Sequence, residues 1–185
     1  MPLILVLCVD DVFLTGGDPH IYQCNRELAS KFEMKDLGLM HYFLDLEVWK
    51  NLGEIFLSQG KYIVKLLERC QMVDCKFAST PMELNFKKLC GSVVGPELEN
   101  ISKYRKLVGG LMFLVNPHPG INFTMNILSQ FMVEPHHIPW IAAKNLLRYL
   151  QGKINHRLRY TVGNLRLHGY TNVDWSINVL DCKTQ

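Results

Sequence analysis

The chain has 185 residues, of which 48% are hydrophobic, and a formal net charge of +3. This composition excludes a disordered polar chain, because so many apolar side chains can form a substantial core. No apolar run reaches the roughly 18 residues that a membrane-spanning helix needs, and the first residues lack the basic start and cleavage site of a signal peptide. These features predict a soluble intracellular protein with one domain or two small ones.

The charges are distributed unevenly along the chain. Residues 1–100 carry 10 Lys and Arg against 14 Asp and Glu, a net charge of −4. Residues 101–170 carry 9 Lys and Arg against a single acidic residue, a net charge of +8. This asymmetry is typical of a protein that binds metal or performs catalysis with one part and holds a polyanion with the other. A solvated helical surface explains the same charges equally well.

The first predicted elements are two short strands, residues 3–9 and 11–15, with a pair of aspartates between them. Val, Leu and Ile dominate both segments, so we expect two buried strands. Asp10 and Asp11 have a structural explanation, because aspartate side chains bond to nearby backbone amides in turns. The alternative is a metal site, since adjacent carboxylates repel each other unless a cation neutralises them. Mg²⁺ binds such oxygens and keeps positions open for phosphate.

A helix is predicted next, with Asp18 as its N-cap and Pro19 at its first position. Residues 36–50 predict one long strand, and residues 54–59 predict its hairpin partner, with Asn51-Leu52-Gly53 in the turn. A second helix follows. The apolar faces of the two helices comprise Ile21, Cys24, Leu28 and Phe32, and then Ile63, Leu66, Leu67 and Cys70.

Residues 73–100 contain prolines and glycines that interrupt any regular period, which indicates an irregular connector and a subdomain boundary. Three helices are predicted within residues 101–151, and the sequence NPHPG at 116–120 ends the first of them. Short strands are predicted at 157–161 and 165–171. The apolar stripes of the three helices indicate core positions rather than a cofactor site: Leu107, Leu111, Leu114; Ile121, Met125, Leu128, Met132; Trp140, Ala143, Leu147, Leu150.

Six cysteines are present, and none forms a C-x-x-C pair. We expect them to act as small apolar residues in a reducing compartment. A zinc site formed by Cys70, Cys75 and Cys90 is the alternative, although the spacings fit such a site poorly.

Several longer stretches occur in the order found in one polymerase family. CVDD at residues 8–11 resembles the Y-x-D-D signature of reverse transcriptases. Successive blocks of Ty1/copia-type retrotransposon polymerases resemble FEMKDLGLMHYFLDLEV, IFLSQGKYIVKLL, DCKFASTPME, YRKLVGGLMFL and LSQFMVEPHHIPWIAAKNLLRYLQGK, and together these cover essentially the whole chain. The resemblance implies RNA-directed DNA polymerase activity for the family, an RNA or DNA template–primer as partner, and Mg²⁺ as cofactor.

The resemblance also implies an α+β fold with three parts. Residues 1–57 would form the C-terminal part of a polymerase palm, residues 58–155 the helices of thumb and connection, and residues 156–185 the start of an RNase H domain. Asp10 and Asp11 would be the paired catalytic aspartates that bind the metal. The primer-grip-like residues would be Leu44, Asp45, Leu46 and Glu47.

The basic residues of the thumb would contact phosphates without reading base sequence. Gly109 and Gly110 lie side by side in the block KLVGGLMFL, where either a nucleic-acid backbone approaches closely or two helices pack tightly. The residues expected to bind nucleic acid are Lys103, Arg105, Lys106, Gly109, Lys144, Arg148 and Lys153.

The chain departs from the family pattern at functional positions. Cys8 replaces the signature tyrosine, Asp45 replaces a glycine of the primer grip, and Asn172 replaces a metal-binding aspartate of RNase H. His118 stands in place of an arginine and Gly120 in place of an aspartate. Because an amide supplies no anionic ligand, the RNase H position is degenerate.

The family's third polymerase carboxylate lies on a strand upstream of the Y-x-D-D hairpin, and this sequence begins directly before the hairpin. We therefore expect a fragment without polymerase activity of its own. One alternative is a non-catalytic nucleic-acid-binding module that uses the basic thumb. The other is a non-functional retroelement remnant. Several of the departures each require only one nucleotide transition in the codon, which favours this alternative, and such a remnant would be expected to aggregate.

Overall fold

The computed structural model describes residues 2–83 and 96–161. The strand predicted at 165–171 and the positions Cys90 and Asn172 lie outside these residues. The chain divides into two compact units, Met1–Met40 and His41–Gln185. Helices and antiparallel strands both occur, as expected for the α+β class. The division into palm, thumb and RNase H parts stays a prediction.

The first unit begins with a β-hairpin. Strand β1 (Ile4–Cys8) pairs antiparallel with β2 (Asp11–Thr15) in a sheet of two strands. The predicted hairpin is confirmed, but the expectation of two buried strands is wrong, because the β1 side chains from Ile4 to Leu7 are 47–68% exposed. A two-stranded ribbon offers little surface against which apolar side chains could pack.

Helix α1 (Asp18–Lys31) follows the hairpin. The expectation that Asp18 caps this helix is wrong, because Gly17 is the N-cap residue and makes no side-chain capping bond. Asp18 is already the first helical residue, where its negative charge still suits the helix N-terminus. No α1 side chain is buried, so its apolar face is only partly covered.

The second unit contains a four-stranded antiparallel sheet in the order β3–β4–β5–β6. The single strand predicted for residues 36–50 is wrong, because the chain reverses at Leu44 and Asp45. Both residues have positive φ, 46° and 59°, as a two-residue type I′ turn requires. The usual Asn-Gly or Asp-Gly signal for this turn is missing from the sequence. The strands are β3 (Tyr42–Phe43), β4 (Leu46–Asn51), β5 (Glu54–Ser58) and β6 (Leu158–Thr161).

The second hairpin was predicted correctly. Asn51 pairs with Glu54 across the β4–β5 turn, where Gly53 has a φ of 73°. Positive φ costs glycine little, so this turn could be read from the sequence. The strand predicted at 157–161 is β6, which pairs with β5.

In the described part of the second unit, four helices form the core: α2 (Gly60–Arg69), α3 (Ile101–Met112), α4 (Asn122–Ser129) and α5 (His137–Gln151). Helix α5 packs against the other three, and α3 packs against α4. The predicted apolar stripes are confirmed as core, with Cys70, Met132 and Trp140 at its margin. The fully buried members of the stripes include Ile63, Leu66, Leu111, Leu114, Met125, Leu128, Ala143, Leu147 and Leu150.

The ends of α3 follow local signals. Asn100 is the N-cap, and its side chain accepts a hydrogen bond of 3.0 Å from the backbone N–H of Lys103. The helix ends at Met112, four residues before the NPHPG sequence that was predicted to end it, and a short 3₁₀ turn (Pro119–Ile121) leads into α4. Among the described helices, none has the length and apolar character to cross a membrane.

Candidate functional site

The two predicted metal-binding aspartates lie at the tip of the first hairpin. Val9 and Asp10 form the two-residue turn between β1 and β2, and Cys8 lies directly opposite Asp11 as the adjoining cross-strand pair. Asp10 and Asp11 are both exposed, whereas Cys8 is half-buried. The structure therefore presents two adjacent carboxylates to solvent.

Val9 holds an unfavourable backbone conformation beside these carboxylates. Its φ is 52°, and its side chain is 90% exposed. A β-branched residue in the left-handed region crowds its own backbone, at a cost of about 1–2 kcal/mol. Burial of the side chain does not compensate for this cost. Backbone strain of this kind is concentrated at functional sites, which agrees with a role for the turn.

The donor chemistry of Asp10 and Asp11 fits a hard divalent cation. Mg²⁺ is commonly held by one or two carboxylates together with phosphate oxygens. In residues 2–83 and 96–161, no group of three or more His, Cys, Asp or Glu side chains could enclose a metal ion. Asp10 and Asp11 thus suit two positions in a shared coordination shell rather than a closed cage.

Of the three cysteines in the alternative zinc site, Cys70 and Cys75 belong to the described residues and Cys90 does not. Cys70 and Cys75 are both half-buried. Burial raises the pKa of the Cys70 thiol, which disfavours the thiolate that zinc requires. The thiol of Cys75 lies 3.2 Å from Oε1 of Gln151 as a hydrogen-bond donor.

The predicted primer-grip residues form the turn from β3 to β4 and the start of β4. Asp45 accepts hydrogen bonds from the Tyr42 hydroxyl and from Nζ of Lys65, the latter at 2.8 Å. The Lys65 contact, with that of Tyr42, keeps the pKa of Asp45 below its usual value. The positive φ of Asp45 explains physically why glycine suits this position, and aspartate is among the few other residues that tolerate it.

Glu47 forms a second link between the hairpin and helix α2. Its carboxylate is nearly buried, and Oε1 lies 3.3 Å from Nζ of Lys61. Oε2 accepts a hydrogen bond of 3.5 Å from the backbone N–H of Lys61, at the helix N-terminus, where a negative charge is favourable. Two lysines one helical turn apart on α2, Lys61 and Lys65, therefore bind Glu47 and Asp45 of the hairpin. Sequence reasoning missed both lysines, because 14 and 20 residues separate the partners.

The adjacent glycines of α3 have different environments. A Cβ atom on Gly110 would lie 2.9 Å from Cδ1 of Leu66, and the Tyr62 hydroxyl donates a 3.1 Å hydrogen bond to the Gly110 carbonyl. A Cβ atom on Gly109 would meet nothing within 4 Å among the described residues. Gly110 therefore serves close packing against α2, whereas Gly109 leaves the helix backbone accessible.

Two of the predicted phosphate-binding arginines make structural contacts. Nε of Arg105 donates a 2.8 Å hydrogen bond to the carbonyl of Met132, beyond α4. Nε of Arg148 donates a 2.7 Å hydrogen bond to the carbonyl of Lys76, in the connector. These guanidinium groups fix loops distant in sequence, a role that spacing along the chain could not indicate.

The predicted lysines remain at the surface. Lys103 and Lys106 are exposed, and with Gly109 and the C-cap residue Phe113 they follow one face of α3 and its end at spacings of three and four residues. We call these four residues the α3 stripe. On α5, Nζ of Lys144 lies 4.9 Å from the centroid of the Trp140 ring. Nζ of Lys153 lies 5.6 Å from the centroid of the Tyr149 ring.

Comparison with known proteins gives the identity of the chain. Residues 1–84 match the reverse transcriptase (RNA-dependent DNA polymerase) family. The chain is 37% identical over 174 residues, 93% of its length, to the retrovirus-related Pol polyprotein from transposon RE1 of Arabidopsis thaliana, of which it spans 12%. It is 35% identical over 181 residues to the Pol polyprotein from transposon TNT 1-94 of Nicotiana tabacum, of which it spans 14%.

A shorter relative matches over most of its own length. The chain is 37% identical over 174 residues to an uncharacterized mitochondrial protein of Arabidopsis thaliana, and it spans 71% of that protein. No solved structure matches the chain. The ordered blocks, the family match and these relatives agree, and the chain belongs to the reverse transcriptase family of copia-type retrotransposon Pol polyproteins.

Proposed function

We propose that this chain supplies two metal-binding carboxylates and a template–primer-binding surface for RNA-directed DNA synthesis. The observation that carries this proposal is the pair Asp10 and Asp11, exposed at a strained hairpin tip within the segment that matches the family. Mg²⁺ bound there would stabilise negative charge on phosphate oxygens during nucleotide transfer.

Metal binding at the hairpin tip is testable with Mn²⁺, a paramagnetic substitute for Mg²⁺. Broadening of the amide resonances of residues 8–12 at low Mn²⁺ concentration is expected, because the ion would lie next to them. Asp10→Asn and Asp11→Asn should each reduce the broadening, whereas Asp18→Asn, an exposed carboxylate on α1, should not. Equal broadening in all variants would contradict the metal role.

The template–primer surface in this proposal consists of the β3–β4 turn and the α3 stripe. Leu44 is exposed at the turn, and the charge of Asp45 is offset by Lys65, which reduces its repulsion of a phosphate backbone. On the α3 stripe, Lys103 and Lys106 supply positive charge, and Gly109 lets a backbone approach the helix.

Binding to this surface should depend strongly on salt. Anisotropy with a labelled RNA–DNA template–primer should show weaker binding for Lys103→Gln and Lys106→Gln, and each variant should lower the salt slope by about one. Lys50→Gln, an exposed lysine on β4, is the matched control. Absence of binding at low salt would contradict a nucleic-acid-binding role, including that of a non-catalytic module.

We also propose that this chain does not polymerise by itself. The reasons are its own residues: two carboxylates on an open turn bind Mg²⁺ weakly, and Cys8 lacks the ring and hydroxyl of the signature tyrosine. Primer extension on an RNA template with Mg²⁺ should give no product. Incorporation that Asp10→Asn abolishes would contradict this proposal and at the same time support the metal role.

A further inference from the structure

A basic cleft in the second unit contains Lys153, one of the predicted nucleic-acid-binding residues, and also His118 and Gly120, two positions at which the chain departs from the family pattern. It has a volume of about 200 Å³ and lies between residues 117–121 and the chain segment from Tyr149 to Leu158. Four of its ten lining residues carry nitrogen donors, and none of the ten is acidic. These four residues, which we call the cleft cluster, are His118, Lys153, His156 and Arg157.

The imidazole of His118 contributes a buried ring nitrogen to this cleft. Its Nε2 atom is buried and has no hydrogen-bond partner among the described residues. Buried polar atoms in folded proteins are nearly always paired, so this atom marks a position where a hydrogen-bonding ligand would be favourable, and a protonated Nε2 would donate to an anion. Burial, and to a smaller extent the nearby charge of His156, holds the pKa of His118 below its usual value. An anion between the two rings would oppose both effects.

Lys153 and Arg157 add two permanent positive charges to the cleft. The Lys153 ammonium lies 5.6 Å from the Tyr149 ring centroid, and the Arg157 guanidinium lies 4.2 Å from the Trp49 ring centroid. Contacts with aromatic rings orient cationic groups without neutralising their charge. Between described residues of the second unit, the ion pairs use Lys61, Lys65 and Arg159.

We propose that the cleft cluster binds a phosphate group. A phosphate accepts hydrogen bonds from imidazole, ammonium and guanidinium donors at the same time, and none of the described residues that line the cleft is acidic. Inorganic phosphate and the backbone of a nucleic acid share this chemistry. If the ligand is a nucleic-acid backbone, the proposal rests on the proposed nucleic-acid-binding function, because Lys153 then belongs both to the cleft cluster and to the nucleic-acid-binding residues. If the ligand is inorganic phosphate, the proposal is independent of that function.

The first test uses inorganic phosphate and the full chain with labelled histidines. Phosphate titrated at constant ionic strength should shift the ring resonances of His118 and His156 saturably and raise the titration midpoint of His118. Lys153→Gln and Arg157→Gln should each weaken binding severalfold, and Lys50→Gln should leave it unchanged. His118→Gln assigns the His118 resonance. Linear shifts without saturation, or equal weakening by Lys50→Gln, would overturn the proposal.

The second test distinguishes the source of the phosphate. An unphosphorylated oligothymidylate that shifts the same resonances and competes with phosphate would identify a backbone site, whereas a response to inorganic phosphate alone would identify a small-anion site. A response to neither probe overturns the proposal. Lys103→Gln and Lys106→Gln test the α3 stripe without altering the cleft. If the chain binds template–primer but not phosphate, only the proposal for the cleft cluster is refuted, and the proposed nucleic-acid-binding function remains.

Discussion

Alanine substitutions at the adjacent glycines of α3 should have different effects on stability, favourable at Gly109 and neutral or unfavourable at Gly110. Both residues lie inside the helix, where alanine is favoured over glycine by about 1 kcal/mol. At Gly109 a Cβ atom meets nothing within 4 Å among the described residues, so Gly109→Ala should gain most of this free energy. The same gain in propensity applies to Gly110→Ala, but packing opposes it there.

The packing penalty at Gly110 follows from the contacts of the added methyl group. A Cβ atom would lie 2.9 Å from Cδ1 of Leu66 and 3.2 Å from a guanidinium nitrogen of Arg69. The arginine can move, but Leu66 is fully buried in the core, so α2 and α3 must separate slightly. Overpacking of this kind costs about 1–3 kcal/mol. Gly110→Ala should therefore be neutral or destabilising by up to about 2 kcal/mol, after the gain of about 1 kcal/mol in helix propensity.

Urea denaturation followed by circular dichroism measures both variants against the unsubstituted chain. The two variants should differ by about 1–3 kcal/mol in unfolding free energy, with Gly109→Ala the more stable. A double variant tests additivity, because the Gly110 penalty arises against α2 and should persist when Gly109 is alanine. Equal stabilisation by both substitutions would refute the packing of α3 against α2 through Gly110.

Three further outcomes are expected. Asn100→Ala should destabilise the chain by about 1 kcal/mol in urea, because α3 loses its N-cap. Asp45→Asn keeps a residue that tolerates positive φ but removes the charge bonded to Lys65. Because the pKa of Asp45 is lowered, its stabilisation should be complete above about pH 4 and be lost as the pH falls through that lowered pKa. The unfolding free energies of the two proteins should therefore differ at pH 7 and approach each other as the pH falls below about 4. His118 has a lowered pKa, so stability should fall as the pH drops below about 6.5, where the unfolded chain takes up a proton first. His118→Gln should flatten that dependence in thermal melts.

The elements that the sequence predicted well are those with strong local signals. The apolar stripe of α2 and the glycine turn at Gly53 depend on spacing and residue type alone, and both are confirmed. The turn at Leu44 and Asp45 could not be found in this way, because its φ values are held by contacts of Asp45 with Tyr42 and Lys65 rather than by glycine.

Roles that depend on tertiary contacts were not visible in the sequence. Arg105 and Arg148 have the charge expected of phosphate ligands. Arg105 nevertheless donates to a carbonyl group 27 residues away, and Arg148 donates to one 72 residues away. Hydrophobicity likewise predicted burial of β1, whereas burial requires a surface against which the strand can pack. The glycine pair illustrates both limits, since the sequence identified it but only the neighbouring helix distinguishes Gly109 from Gly110.

The exposed apolar side chains of β1 affect the tendency of the folded protein to associate, which is a different property from its stability against unfolding. The helical core of the second unit buries the apolar side chains that stabilise the folded state, whereas the apolar residues from Ile4 to Leu7 are exposed, where they favour adhesion between folded molecules. Colloidal behaviour and conformational stability therefore depend on different parts of the chain. Substitutions that strengthen the core will not by themselves keep the protein dispersed, and a charge introduced on β1 will do so with little effect on the melting temperature.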